Sequence, residues 1–332
     1  MLSKTINNVL YQDINLTLPV GVVDPAYNNG YDTRIAFASS SSLRREHARL
    51  NNAILISNTN RGYSFNAGFT LNKTWKRFFG QFAYNFNHAA DVNSGLSSTA
   101  LSNWEFVHVV GDPNNPQLAT SAHEMRHRFT GVFSTNFTYA KYFKTSLSFF
   151  YEGNSGRPFT YFVDGDLNSD GRFGNDLLYV PADPSQITFI DRLSGSGAVI
   201  ATAAEQAAAF EAYINNDKYL SSRRGQYTER NGRNTPWEHV IDARIAQDFF
   251  MNVGGKKHAI QVTFDVFNLT NLINEDWGRQ YTISNQAYAL LTAVNRTGAN
   301  AGTGYNFTPR KPWSTTFGSR FQGQLGIRYS FN

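Results

Sequence analysis

Two short stretches combine residue types with a spacing that can do chemistry. The first is His123-Glu124-Met125-Arg126-His127, which repeats the HExxH spacing of zinc proteases. In those enzymes two imidazoles one helical turn apart hold the metal and the Glu between them acts as general base. The chemistry therefore needs a helix. Here the stretch runs straight into an alternating segment from Phe129 to Tyr139, so both imidazoles are expected on extended chain, about 13 Å apart. Thr130 also stands where the longer metzincin pattern has Gly. The residues predict the polar mouth of a strand, and no catalytic residue is assigned. A surface zinc protease remains the third reading of the chain, separable by a zinc assay.

The second stretch is Asp166-Leu167-Asn168-Ser169-Asp170-Gly171, followed by Asp176. Carboxylate and amide oxygens at alternate positions, with Gly at the bend, form the first half of a calcium loop. Asp166, Asn168, Asp170 and Asp176 are thus candidate calcium ligands in a loop. Asp176 falls at the eleventh position, where an EF-hand has Glu at the twelfth, and no helices are expected to flank the loop. The competing expectation is a solvated Asp/Gly turn.

The elements that must position these stretches follow from composition and periodicity. The 332 residues are 41% hydrophobic and 15% aromatic, with 27 Phe and 17 Tyr, but only 17% charged. An average soluble domain is roughly 25% charged, so the aromatics are offset by neutral Asn, Ser, Thr and Gln instead. No run approaches the roughly 18 apolar residues of a membrane helix. A β-barrel wall escapes that test, because alternate residues of each crossing are polar. There is no Cys, hence no disulfide framework and no thiolate metal site. The net charge of +5 is scattered, with no nucleic-acid footprint. The start, MLSKTINNVLYQDINLTL, lacks the pattern of a secretory signal, so an exported chain is expected to be mature or a fragment.

The clearest alternation is terminal: Phe321, Gly323, Leu325, Ile327, Tyr329 and Phe331 share one face, and Gln322, Gln324, Gly326, Arg328, Ser330 and Asn332 the other. A period of two with unlike faces marks a strand between two environments. The same pattern forms three hairpins: Tyr63–Trp75 with Phe78–Phe86 across Lys76-Arg77, Phe129–Tyr139 with Phe143–Tyr151 across Ala140–Tyr142, and Trp237–Met251 with Lys257–Leu269 across Asn252–Lys256. A further strand is expected over Lys4–Leu16, and short ones over Asp32–Ala38 and Leu50–Ser57. Pro19, Gly21, Pro25 and Asn28-Asn29-Gly30 signal loop. One helix is expected near Thr202–Asn215, with Thr202 and Glu205 spaced as a capping box.

Short turns therefore alternate with long loops, the asymmetry of an outer-membrane barrel with tight periplasmic turns and long external loops. The expected fold is all-β: an antiparallel transmembrane β-barrel segment of eight crossings near 4–17, 62–75, 77–90, 126–139, 142–157, 237–251, 257–270 and 319–331. Loops 18–61, 90–124, 158–236 and 271–317 would face outward. Trp75, Phe78, Tyr139, Tyr142, Phe143, Tyr329 and Phe331 fall where an interfacial girdle is needed. Asn66, Thr70, Asn85, Arg128, Asn136, Glu152, Asp242, Arg244, Asp265 and Arg328 would line the lumen. A soluble sandwich has shorter strands and shorter loops.

Several stretches resemble TonB-dependent outer-membrane receptors: SNTNRGYSFNAGFTLNKTW with FAYNFNHAADVNSG, then HEMRHRFTGVFSTNFTYAKYFKTSLSFFYEGNSGRPFTY, DLNSDGRFGNDLLYVP and the closing LGIRYSFN. The likeness is greatest to the Bacteroidetes type that carries a carboxypeptidase-like regulatory domain. It covers nearly all of this chain, but only the C-terminal part of that family's barrel of about 22 strands. The family's plug and TonB-binding box have no counterpart in 1–332. The resemblance implies an outer-membrane location in a Gram-negative cell and a role in importing a large nutrient ligand. The implied partners are outer-membrane lipid, the remainder of the receptor (plug and N-terminal strands), TonB through that remainder, and a surface lipoprotein. The resemblance implies no cofactor; calcium in an external loop is expected from the spacing at Asp166–Asp176 alone. The alternative is an autonomous small barrel, a porin or adhesin, which requires the first strand to pair with the last.

Overall fold

A computed structural model describes residues 2–5, 8–22, 30–296 and 302–331. The chain is mostly β, 48% strand against 13% helix, with antiparallel pairing dominant. Its main sheet takes eight strands in strict chain order: Leu2–Thr5, Tyr63–Trp75, Phe78–Asp91, His127–Tyr139, Phe143–Asn154, Glu238–Val253, Lys256–Phe267 and Gln322–Phe331. A two-residue strand, Ala119–Thr120, pairs off the path against Phe78–Asp91. Seven of the eight strands coincide closely with expected crossings. The first does not: Leu2–Thr5 joins the main sheet, whereas Asn8–Asp13 pairs Ile54–Thr59 in a sheet of its own. Ile6, part of the expected first strand, and the loop signals Pro25 and Asn28-Asn29 lie outside the described residues.

The three hairpins close through turns of two or three residues. Trp75 pairs Phe78 across Lys76-Arg77, Tyr139 pairs Phe143 across three residues, and Val253 pairs Lys256 across Gly254-Gly255 alone. Gly254 and Gly255 sit at φ +59° and +80°, the left-handed pair of a type I′ hairpin turn that two glycines adopt without strain. That turn is shorter than the expected Asn252–Lys256 connection. All three turns lie at one end of the sheet, because each hairpin runs out and back before a long connection begins.

Register carries the period-two pattern across strands. Leu147 lies opposite Ile245, Ile245 opposite Phe264, and Phe264 opposite Leu325, so apolar residues share one face. Ser148, Arg244, Asp265 and Gln324 are the matching row on the other face. Among the described residues the sheet is open. Leu2–Thr5 pairs only Tyr63–Trp75, and Gln322–Phe331 pairs only Lys256–Phe267. A closed barrel is not formed by these eight strands alone.

The long connections hold more structure than the one helix and the short strands expected in them. They build a cap at the opposite end from the turns, with its own hydrophobic core. Pro158–Asp164 runs parallel to Ala287–Arg296, which pairs Gly302–Phe307. On this small sheet Phe159, Tyr161, Leu291 and Phe307 pack with Phe210, Ile214 and Leu220 from helices. The expected helix forms as Ala203–Asn216, and its capping box is complete: Thr202 Oγ1 accepts from Glu205 N at 3.2 Å, and Glu205 Oε2 from Thr202 N at 2.8 Å. Expecting one helix undercounted, since Ala100–Glu105, Lys218–Ser222 and Leu269–Ile273 are also helical. These pieces have five or six residues, too few for an apolar period to be visible. None of the helices described is long and apolar enough to cross a membrane.

Candidate functional site

The apolar face of the main sheet is uncovered. Phe69 is 51% exposed, Ile245 49%, Leu325 70% and Ile327 74%. In water this arrangement is unfavourable, because contiguous apolar surface of this size is not normally left bare. Aromatic rings concentrate at the two ends of that face. At the turn end Trp75 lies on Phe78 with centroids 6.2 Å apart, Tyr139 stacks on Phe143 at 5.7 Å, and Tyr329 meets Phe331 at 6.0 Å. Toward the cap, Tyr84, His127, Trp237 and His239 stack in turn at centroid spacings of 5.9–6.1 Å. There Tyr84 bonds His127 Nδ1 and Tyr151 bonds His239 Nδ1, each at 2.9 Å.

The opposite face holds all ten residues expected to line a lumen, interrupted by Phe79, Val132, Phe150 and Val240. Its charges are partly paired: Arg128 meets Glu152 at 2.9 Å and Arg244 meets Asp265 at 3.6 Å. Both pairs are substantially exposed, so each contributes little to stability. A cavity of about 740 Å³ opens on this face over Asn66, Thr70, Asn85 and Arg128. A second, of about 420 Å³, lies nearer the cap over Glu152, Glu238, Asp242 and Arg320.

The HExxH residues lie on non-helical chain leading into the strand, as expected. They do not converge. His123 Nε2 is 2.8 Å from Ser94 O, and His127 Nδ1 is engaged by Tyr84. Glu124 is 3% exposed and fully used. Its Oε2 accepts from Ala89 N and lies 2.8 Å from His88 Nδ1, while its Oε1 pairs Arg126 Nε at 2.7 Å. It ties the entry to its own strand to the neighbouring strand Phe78–Asp91.

Asp166, Asn168, Asp170 and Asp176 fold into one compact loop. Asp166 Oδ2 accepts from Gly171 N at 3.0 Å, and Asp170 Oδ1 from Arg172 N at 2.7 Å. Gly171 sits at φ +86°, which only Gly adopts freely. Asp176 ties the loop to Arg34: its Oδ2 accepts from Leu167 N and its Oδ1 meets Arg34 Nη1, each at 2.7 Å. The residue reaching Asp170 in its place is Asn175, with Nδ2 2.7 Å from Asp170 Oδ2. Sequence reasoning missed Asn175, although it adjoins the chosen Asp. It also missed Arg34, which is distant in the chain, wholly buried, and paired to both Asp32 and Asp176.

Burial and the Asp170 carboxylate push Asp166 up to about 6. Burial pushes Asp176 up to about 7 against the pull of Arg34. Asp170 is raised by burial as well, while Asp32 lies below its ordinary value through Arg34 despite its own burial. Among the described residues no group of three His, Asp or Glu side chains is gathered as a metal-binding cluster. A hard-oxygen cation draws also on amide and backbone oxygens, which such a group does not include. Compared with known proteins, the chain matches no family model, no curated protein and no solved structure, so the resemblance noted above stands on the residues that carry it.

Proposed function

We propose that this chain is a membrane-crossing β-wall from the C-terminal part of a TonB-dependent outer-membrane receptor, serving the uptake of a large nutrient ligand. The observation that carries the membrane reading is the two-faced sheet. Its strands, mostly 10–16 residues long, present a bare apolar face edged by aromatics, with the tight turns at one end and every long connection at the other. Lipid is the environment that makes such a face favourable, and interfacial aromatics belong at its borders. The polar face then lines a water-filled lumen, and the cap presents the ligand-facing surface outside the cell.

The open sheet favours the receptor reading over the autonomous small barrel. In lipid an unpaired strand edge leaves backbone donors and acceptors unsatisfied, so a spanning sheet must close. The described edges do not meet, and further strands would complete the ring. Those strands, with the plug, are the partners the family resemblance implies; coupling to TonB runs through them.

The membrane part is tested with Trp75 and Trp237, which lie on the apolar face at its two ends and are 64% and 44% exposed. In variants keeping one of these as the sole Trp, lipids brominated near the headgroup should quench strongly and lipids brominated at the chain ends weakly. Equal quenching by aqueous acrylamide, with no effect of bromolipid, would sink the membrane reading. The receptor part is tested by cysteine pairs scanned between Leu2–Thr5 and Gln322–Phe331 in a chain that has no native Cys. Cross-linking in membranes would mean an autonomous closed barrel. Co-isolation with a plug-bearing segment supports the receptor.

A further inference from the structure

We propose that the loop Asp166–Asp176 takes one calcium-class divalent cation, held by the carboxylates of Asp166 and Asp170 with the amide oxygens of Asn168 and Asn175, and that this ion locks three long loops into one cap. The inference does not depend on the transport reading.

The loop stands where three connections meet. From loop 18–61, Phe37 N donates to Asn168 O at 2.7 Å and Arg44 Nη1 to Ser169 O at 3.0 Å. From loop 90–124, Gly111 O accepts from Asn168 Nδ2, and Val109 N donates to Asn175 O at 2.9 Å. Arg172 reaches Glu105 at 2.9 Å. These contacts leave specific oxygens over. Asn175 is 0% exposed, yet its Oδ1 has no hydrogen-bond partner, although its amide points at Asp170. Asp166 Oδ1 is likewise buried without a partner. Buried orphan oxygens are costly, and two within one loop, beside a buried carboxylate, are oxygens that a cation would satisfy. Rotating the Asn175 amide by a half-turn exchanges its N and O and brings the free oxygen beside Asp170.

Charge points the same way. The groups bonded through this hub include five carboxylates, Asp32, Glu105, Asp166, Asp170 and Asp176, against the guanidinium groups of Arg34, Arg44 and Arg172. Carboxyl groups thus outnumber guanidinium groups among these residues. All proposed ligands are oxygens, two anionic and the rest amide, a set that suits calcium and its flexible coordination better than magnesium. An adjoining cavity of about 470 Å³, lined by Asp13, Asn52, Asp170 and Gly171 together with Arg44, Arg45 and Arg172, opens the Asp170 side of the loop to solvent.

The test is calorimetric titration of the purified full chain in detergent with calcium chloride and, separately, magnesium chloride, alongside melts in calcium and in chelator. The expected result is one saturable calcium site, weaker for magnesium, that raises the melting temperature and slows trypsin cleavage within 30–61, 90–124 and 158–236. In Asp166→Asn, calcium affinity should fall about tenfold or more, since one anionic ligand is lost. The same variant should be more stable than the parent in chelator and less stable in calcium, a crossing that a merely structural role for Asp166 does not produce. No calcium heat and no shift at millimolar calcium overturns the proposal, even if the variant fails to fold. So does an equal response to magnesium, or unchanged affinity in Asp166→Asn.

Discussion

Glu124 accepts from Ala89 N–H, pairs Arg126 and contacts His88 while almost wholly buried. Replacing it with Ala strips a buried donor and a cation of their partner, which costs about 1–3 kcal/mol. Glu124→Ala should therefore lower the midpoint of a urea melt, and neither protein should hydrolyse peptides on addition of zinc. A zinc-dependent activity lost in Glu124→Ala would reverse the reading of this stretch. His108 offers a second residue-scale outcome. It packs on Phe162 with centroids 5.0 Å apart, and burial, reinforced by Arg230, holds its imidazole down to about 3. Because the unfolded imidazole titrates near 6.5, the unfolded state binds the extra proton first. Stability from neutral His108 is full above about pH 6.5 and is lost as pH falls toward 3. Residual exposure of His108 makes the slope shallower than full burial would give. His108→Phe should flatten the difference between melts at pH 7 and pH 4.5; parallel profiles for the two proteins would refute the assignment.

At the scale of elements, the hairpin turns and the cap helix depend on few positions. Gly255 at φ +80° gives a turn that a β-branched residue strains by about 1–3 kcal/mol. Gly255→Val should destabilise by that amount in a denaturant titration, while Gly80→Ala, whose added carbon meets nothing within 4 Å, should change stability by less than about 0.5 kcal/mol. Loss of the Thr202 cap in Thr202→Ala should cost about 1 kcal/mol, read as faster proteolysis around Ala203–Asn216. Comparable losses at Gly80 and Gly255 would show that the Gly254-Gly255 turn does not set the hairpin.

For the whole molecule, the contrast between faces makes the membrane reading quantitative. Ile245 and Arg244 are neighbours on one strand but point to opposite sides of the sheet. If the apolar face meets lipid, Ile245→Arg should cost about 2–4 kcal/mol for a charge near the bilayer centre. Arg244→Gln should cost under about 1 kcal/mol, because its pair with Asp265 is long and exposed. Folding yields into lipid vesicles, measured side by side, give both numbers; equal small effects would mean that this face is not in lipid.

Alternation along Tyr63–Trp75, Phe78–Asp91 and Gln322–Phe331 determined by itself that these segments are two-faced strands. The period of two is local, and a one-residue slip would turn every side chain to the wrong side. Short connections at Lys76-Arg77, Ala140–Tyr142 and Asn252–Lys256 likewise announced which strands are neighbours, though the last closes more tightly than expected, at Gly254-Gly255. The oxygen-rich spacing at Asp166–Asp170 and the capping box at Thr202–Glu205 were legible for the same reason, since each acts over a few residues. Tertiary structure decided the rest. The cap core joins Phe159 and Tyr161 to Phe210 and Phe307, and no periodicity in one segment announces burial against segments 50 to 150 residues away. Arg34 reaches Asp176 across 142 positions, while the adjoining Asn175 is the residue whose amide meets Asp170. Whether the first strand meets the last is a matter of curvature and strand number, which no single strand's sequence contains; in the described structure the two edges stay apart.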